Sequence, residues 1–209
     1  MKPVRFITLE GGEGVGKTTN LQFIEQWLQQ KDISVVTTRE PGGTALSENI
    51  RSLLLQQQAS PVAAETELLL IFAARAQHIA EVIRPSLDQG SWVLCDRFTD
   101  ASYAYQGSGR DISEEKIEFL EQWVQGDFRP DLTLLLDAPV SLGMSRARSR
   151  GNLDRFETED TAFFERVRQG YLVRAQRYPE RIKIIDAQCS LESIQSELVC
   201  QLEVMIASC

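Results

Sequence analysis

The residues best placed to do chemistry come early in this chain. Gly11, Gly12, Glu13, Gly14, Val15, Gly16, Lys17, Thr18 and Thr19 spell GGEGVGKTT, directly after the apolar run Phe6-Ile7-Thr8-Leu9-Glu10. Gly11, Gly16, Lys17 and Thr18 match the pattern G-x-x-x-x-G-K-[ST]. Glycines let the backbone bend so that several N–H groups point inward at phosphate oxygens. Those groups sit at a helix N-terminus, where the partial charge favours an anion. Lys17 brings a full positive charge to the terminal phosphates, and the Thr18 hydroxyl suits Mg2+. The motif establishes a nucleoside triphosphate site and no particular reaction. It also raises a question: the middle of the loop carries an acid, Glu13, and no base.

Other residues narrow the chemistry. The apolar stretch WVLCDR ends with Asp96 followed at once by Arg97. An acid and a base at the carboxyl end of a parallel strand stand in the ligand crevice. There Asp96 suits ordering of metal-bound water and Arg97 suits a second phosphate. Arg39 ends another strand candidate, Arg51 lies on the next helix, and Arg75 sits among apolar positions in LLLIFAARAQH. An arginine on a largely apolar helix is costly without an anionic partner. Several basic residues around one phosphate loop point to a second anionic substrate and to phosphoryl transfer between two nucleotides. The charged stretch RARSRGNLDRFE, Arg146 to Glu157, has the composition of a closing lid. A kinase must exclude water from the transferring group, and lid arginines can meet it. A regulatory GTPase is disfavoured, because Asn20, Asn49 and Asn152 do not stand in an N-K-x-D element.

The elements that must position these groups alternate along the chain. Strand candidates are Arg5–Glu10, Ser34–Arg39, Ser91–Asp96, Leu132–Asp137 and Lys183–Asp186. They are rich in Val, Ile and Leu and mostly not alternating, as strands covered on both faces read. Helical patterns cover Lys17–Gln30, Ala45–Gln57, a long Ala63–Gln89, a segment beginning at Ser113, Thr161–Arg177 and Leu191–Ala207. Strands alternating with helices predict an α/β fold, a parallel five-stranded sheet between helical layers. The 209 residues suit one domain, with the lid at about 146–157.

Composition excludes several classes. The net charge is -8, from 22 basic and 30 acidic residues. Such a chain is a poor nucleic-acid binder, which needs clustered Lys and Arg. No apolar run approaches the roughly 20 residues of a membrane span. MKPVRFITLEGG leaves no room for a signal peptide before the loop. Cys95, Cys189, Cys200 and Cys209 form no C-x-x-C pair, so free thiols in a reducing compartment are expected, and the cytoplasm with them.

LEGGEGVGKTT, TREPGGT, DRF followed by SYAYQG, DFRPDLTLLLD and RARSRGNLDRFE, in this order, resemble the bacterial thymidylate kinases. The resemblance runs from the first strand to at least Asp186. It implies transfer of a phosphoryl group from ATP to dTMP with Mg2+, a P-loop kinase fold with a five-stranded parallel core, and a homodimer. It places Glu13 near the sugar 3′-hydroxyl of dTMP. Arg97 and Arg39 fall near the acceptor phosphate with Glu40 close by, and Arg51 and Arg75 on the dTMP side. Ser102 and Gln106 fall in the thymine pocket, and Tyr105 crowds the 2′ position. Family members carry a catalytic arginine either in the phosphate loop or in the lid. With Gly14 after the acid and arginines at 146, 148, 150 and 155, this chain resembles the second kind. Arg150 is then the first candidate for the catalytic lid base, and Arg146 a neighbour of adenine.

One position departs from the family. The thymine-stacking Phe stands four residues before the helix arginine, where this chain has Ile71. Phe72 lies three before Arg75, on a shared helix face, and is the expected stacking residue, with Ile71 as an aliphatic wall the alternative. His78, the single histidine, reads as a helix-surface or interface residue, and Trp27, Trp92 and Trp123 as core or edge packing. Surplus apolar surface on 63–89 suits a subunit interface. Rival readings are a kinase for another acceptor, such as dUMP or a deoxynucleoside, and a module that holds nucleotide without turnover.

Overall fold

The computed structural model describes residues 5–58, 60–148, 155–156 and 158–207. Five strands form one parallel sheet: β1 Phe6–Gly11, β2 Val35–Arg39, β3 Trp92–Asp96, β4 Leu132–Asp137 and β5 Ile182–Asp186. Their order is β2-β3-β1-β4-β5, with the phosphate-loop strand at the centre. Its register pairs Leu9 with Asp96 on one side and Gly11 with Leu136 on the other. The loop after β1 and the Asp96–Arg97 pair after β3 therefore leave neighbouring strands at the same end of the sheet.

Residues two apart on a strand face one layer. Ile7 and Leu9, Trp92 and Leu94, and Leu132, Leu134 and Leu136 pack on helices α1 (Lys17–Gln30) and α9 (Leu191–Ala207), through Ile24, Leu28, Leu198 and Leu202. Phe6, Val93 and Cys95 face the other layer, with Ile79, Ile83 and Phe98. Leu135 meets Phe163, Val167 and Tyr171 of helix α8 (Thr161–Arg177) on that side. Each such side chain, fully buried, contributes about 1.5–3 kcal/mol relative to exposure. The polar residues of this face pair with each other: Thr8 and Thr133 hydroxyls lie 2.8 Å apart.

The helix expected over 63–89 divides. Helix α3 (Ala64–His78) passes into a wider π turn, Ile79–Ile83, and then α4 (Arg84–Asp88). Pro85 explains the widening, because it has no N–H for Glu81 and its ring crowds that carbonyl. Helix α2 (Ala45–Leu55) begins where Thr44 accepts from the Ser47 N–H. Three helical stretches went unmarked in the sequence reading: α5 (Thr99–Ser102) with its π continuation Tyr103–Gly109, and α7 (Val140–Arg148). Helix α6 (Glu114–Gln125) follows the Ser113 start and ends at Gly126. Trp92 lies in the core and Trp27 packs against it, but Trp123 on α6 is 76% exposed, which corrects its reading as packing.

Candidate active site

The phosphate loop folds as its glycines require. Gly14 has a φ of 68° and Gly16 one of 94°, a region that side chains rarely adopt. A Cβ on Gly14 would also collide with the carbonyl oxygen of Gly143 in α7. This explains why the loop carries no base at that place: position 14 has neither the backbone angle nor the space. Helix α1 starts at Gly16 with no side-chain cap and no acid in its first turn. Its first N–H groups are therefore open to an anion. Lys17 folds back on the loop, donating to the carbonyls of Gly12 at 2.8 Å and Gly11 at 3.2 Å. Burial, with Arg97 nearby, pushes its pKa below the usual lysine value.

Glu13 of the loop meets Arg97 and Tyr105, and Arg97 in turn meets Tyr171. Arg97 donates from Nη2 to Glu13 Oε1 at 2.6 Å and from Nη1 to the Tyr171 hydroxyl at 3.2 Å. Its guanidinium lies over the Tyr105 ring, 4.7 Å from the centroid. The Tyr105 hydroxyl donates to the same Glu13 oxygen at 2.8 Å. Arg97 holds a φ of 67°, a strained backbone for a non-glycine residue, and such strain collects at functional sites. Behind it, Tyr171 donates to Glu10 Oε2 at 2.8 Å, and the Phe98 N–H donates to Glu10 Oε1 at 2.7 Å. Burial, reinforced by Asp100, pushes the Glu10 carboxyl up to about 8.

A cavity of about 480 Å³ joins Glu13, Arg97 and Tyr105. Glu13, Gly14, Gly16, Lys17, Thr18 and Thr19 line it from the loop side. Arg51, Arg75, Asp96, Arg97 and Glu40 also face it, as do Ser102, Tyr105, Gln106 and Arg146. Gly11, Gly12 and Val15 line a smaller hollow behind the loop, against Asp137 and Gly143. Arg75 is held by Glu40 Oε2 at 2.7 Å, the Phe98 carbonyl at 3.2 Å and Ser102 Oγ at 3.0 Å. Its Nη1 and Asp96 Oδ1 are buried without a hydrogen-bond partner among the described residues. Two unsatisfied buried groups on residues that line one cavity call for a ligand. Arg51 donates to the Pro41 carbonyl at 2.9 Å, and Arg146 to the Ala187 carbonyl at 3.4 Å.

Three sequence expectations are corrected here. Phe72 does not line the cavity; it is buried with Leu68, Tyr103 and Ile117, with the Arg75 guanidinium over its ring at 4.6 Å. Ile71 faces the cavity instead, because one residue along a helix turns the side chain about 100°. Arg39 does not reach the cavity either. It is 53% exposed and pairs with Glu48 at 2.9 Å on the first turn of α2. His78 is fully buried, not on the surface: Nε2 meets Thr38 Oγ1 at 2.7 Å and Nδ1 meets Glu40 Oε1 at 3.0 Å. It braces the carboxylate that braces Arg75. Of the lid arginines, Arg150 lies outside the described residues, and Arg155 donates to the Leu54 carbonyl and to Glu67, both at 2.7 Å.

Sequence reasoning missed Glu10, Glu67, Arg110 and Tyr171. Glu10 was counted as the end of a strand. Tyr171 sits in VRQGYLVRAQR, where nothing distinguishes it from an amphipathic helix position. The signal for Glu10 in the sequence is a carboxylate that ends the otherwise uncharged strand run Phe6 to Leu9.

Comparison with known proteins matches this geometry to named relatives. A family model described as thymidylate kinase matches residues 9–198. The chain is 57% identical to the thymidylate kinase of Pseudomonas putida (strain GB-1) over 204 residues, covering 98% of this chain and 97% of the relative. It is 55% identical over 207 residues to that of Methylococcus capsulatus, covering 99% of each. The crystal structure of thymidylate kinase from Ehrlichia chaffeensis superposes with a TM-score of 0.77 at 34% identity, over 95% of this chain and 98% of that one. A match of that extent, on a chain whose loop, arginines and five-stranded sheet are already accounted for, has one meaning: the chain belongs to the thymidylate kinase family.

Proposed function

We propose that this protein transfers the γ-phosphoryl group of ATP to dTMP, giving dTDP and ADP. One observation carries the reading: a single cavity is lined both by the uncapped N-terminus of α1 with Lys17 and Thr18, and by the cluster Arg51, Arg75 and Arg97. A nucleotide-binding switch needs the first set only. Two sets in one cavity suit two phosphorylated substrates held end to end.

Catalysis here is positioning and charge neutralisation, with little covalent work for side chains. The loop amides and the first turn of α1 hold the ATP phosphates, and Lys17 leaves its two loop carbonyls to reach the terminal ones. Arg146 lies on the adenine side. Arg97 takes the acceptor phosphate while Glu13 fixes its guanidinium and meets the sugar 3′-hydroxyl. Tyr105, locked by its own bond to Glu13, crowds the 2′ position and so favours deoxyribose. Arg75, Ser102 and Gln106 take the base, with Ile71 as an aliphatic wall. Arg150 supplies the lid charge to the transferred group, a role that rests on the sequence of the lid.

The donor set suits Mg2+. Thr18 and Asp96 offer hard oxygen ligands, and the unpartnered Asp96 Oδ1 is the kind of group that a metal-bound water satisfies. The ion supplies charge neutralisation on the phosphates when bound. The reading extends to the assembly: one kinase domain with a lid at 146–157, working as a homodimer in the cytoplasm. In support, Leu69, Ala73 and Ala76 form an exposed apolar stripe on α3, next to α6 with its exposed Phe119 and Trp123. No helix among the described residues is long and apolar enough to cross a membrane.

A coupled ADP-release assay across acceptors tests the activity. Turnover with dTMP well above dUMP and thymidine is the expected result. Equal turnover on another acceptor would reassign the substrate, and no ADP with any acceptor would leave a binding module.

A further inference from the structure

Glu67 has no part in the scheme above, yet it is among the most completely enclosed carboxylates of the molecule, 0% exposed on α3. A buried carboxylate persists only where donors satisfy it. Glu67 Oε1 accepts from Gln106 Nε2 at 2.9 Å and from Arg110 Nε at 3.3 Å. Glu67 Oε2 accepts from Arg155 Nη2 at 2.7 Å and from Arg110 Nη2 at 3.4 Å. The two arginines are anchored in turn, Arg110 by Glu159 at 2.6 Å and Arg155 by the Leu54 carbonyl at 2.7 Å. The carboxylate is therefore held from both sides and cannot turn.

This matters for Gln106. The two ends of a side-chain amide have nearly the same shape, and only the partner decides which end points where. A carboxylate between two guanidiniums can accept and has nothing to donate. The amide nitrogen of Gln106 must face Glu67, which leaves the carbonyl oxygen for the cavity that Gln106 lines. Four residues away on the same helical stretch, Ser102 takes a hydrogen bond from Arg75 Nη2 at 3.0 Å. Arg75 Nη1 is the buried donor without a partner. This wall of the cavity thus offers a donor from Arg75 and an acceptor from Gln106. The complementary ligand edge is a carbonyl beside an N–H, as at O4 and N3 of thymine or uracil. Cytosine presents the reverse, an amine beside a bare ring nitrogen.

We infer that Glu67 is a positioning residue for base specificity: by fixing the amide of Gln106 it makes the pocket accept 2,4-dioxopyrimidines and reject aminopyrimidines. The inference rests on the dTMP reading of the same pocket. With Glu67→Gln the partner can donate as well as accept, so the Gln106 amide is free to reverse and to pair with the cytosine edge.

The test is equilibrium binding of dTMP, dUMP and 5-methyl-dCMP, the last differing from dTMP only at the edge in question. In the wild type dTMP should bind far more tightly than 5-methyl-dCMP, its match at every other substituent. In Glu67→Gln the preference of dTMP over 5-methyl-dCMP should shrink by about tenfold or more, because a misdirected buried polar group is what a hydrogen-bonding site discriminates by. The dUMP and dTMP affinities should fall together, and ATP affinity should not move. Glu67→Asp keeps the charge for the arginines but withdraws from the amide, and it carries the same expectation if Glu67→Gln does not fold. Unchanged discrimination in a folded variant, or parallel weakening of all three nucleotides, would overturn the inference. Failure of the wild type to bind dTMP would strike the functional reading instead.

Discussion

The two sides of the cavity are built in opposite ways. The proposed donor side is one contiguous stretch, Gly11 to Thr19, whose anion-binding shape follows from local backbone geometry. The proposed acceptor side draws on residues scattered over the chain: Glu40 after β2, Arg51 on α2, Arg75 on α3, Arg97 after β3, Tyr105 and Gln106 on the π continuation of α5, and, behind Arg97, Tyr171 on α8. Backbone amides at a helix start need only the right glycines nearby. A nucleotide acceptor needs side chains converging from several directions, and only a folded sheet with its crossovers supplies those. The difference teaches that substitutions on the donor side should act through backbone conformation, and those on the acceptor side through loss of mutual support.

The largest effect should come where the two sides meet. On the proposed reading Arg97→Ala removes the cation that meets the acceptor phosphate, and it costs Glu13 and Tyr171 one hydrogen bond each, leaving Glu13 with Tyr105 and Tyr171 with Glu10. A fall of about 10³-fold or more in kcat/KM for dTMP is expected, on the scale of arginines that meet a transferring phosphoryl group. Steady-state kinetics with each substrate varied would check it. A variant within tenfold of wild type would break the link between the two sides.

Gly14→Ala sharpens the backbone half of the comparison. It places a Cβ at positive φ and against the Gly143 carbonyl, so loop and α7 must separate. A stability loss of about 1–3 kcal/mol in chemical denaturation and weaker ATP binding are expected, with dTMP binding little changed. Equal loss of both affinities would show that the loop serves the acceptor as much as the donor.

A pH-dependent effect concerns Glu10, which supports Tyr171 and through it Arg97. Its carboxyl titrates near 4.5 in the unfolded chain and at about 8 in the folded one. Between these values the folded state holds the proton that the unfolded state has lost. The contribution of Glu10 to stability is therefore full below 4.5 and lost as pH rises through about 8. The melting temperature of the wild type should fall relative to that of Glu10→Gln across this window. Parallel pH responses of the two proteins would remove Glu10 as the titrating group.

Much of the fold was legible because strands covered on both faces are apolar throughout, and five such runs alternate with helical periods. The structure keeps all five, with ends moved by a residue. The unmarked helices had no such signal. TDASYAYQGSG is short, polar and glycine-containing, and it is helical because it packs under α8 through Ala104 and Gly109. Pro85 widened a helix that hydropathy alone ran straight through. At the site, most residues of the loop motif landed on the cavity, with Gly11, Gly12 and Val15 on the hollow behind it. Phe72 and Arg39 did not. A helix position one residue off faces another neighbour, and an exposed arginine takes the nearest carboxylate, here Glu48.

Sequence alone determined the nucleotide loop, the sheet and the presence of too many arginines for one triphosphate, because these depend on local conformation and on residue type. Tertiary structure decided which carboxylate each of those arginines meets. Arg97 goes to Glu13, Arg75 to Glu40, and Arg155 to Glu67. Charge attraction has no sequence register of its own. The crossover connections of a parallel sheet choose the partners, and burial then makes the choice costly to undo.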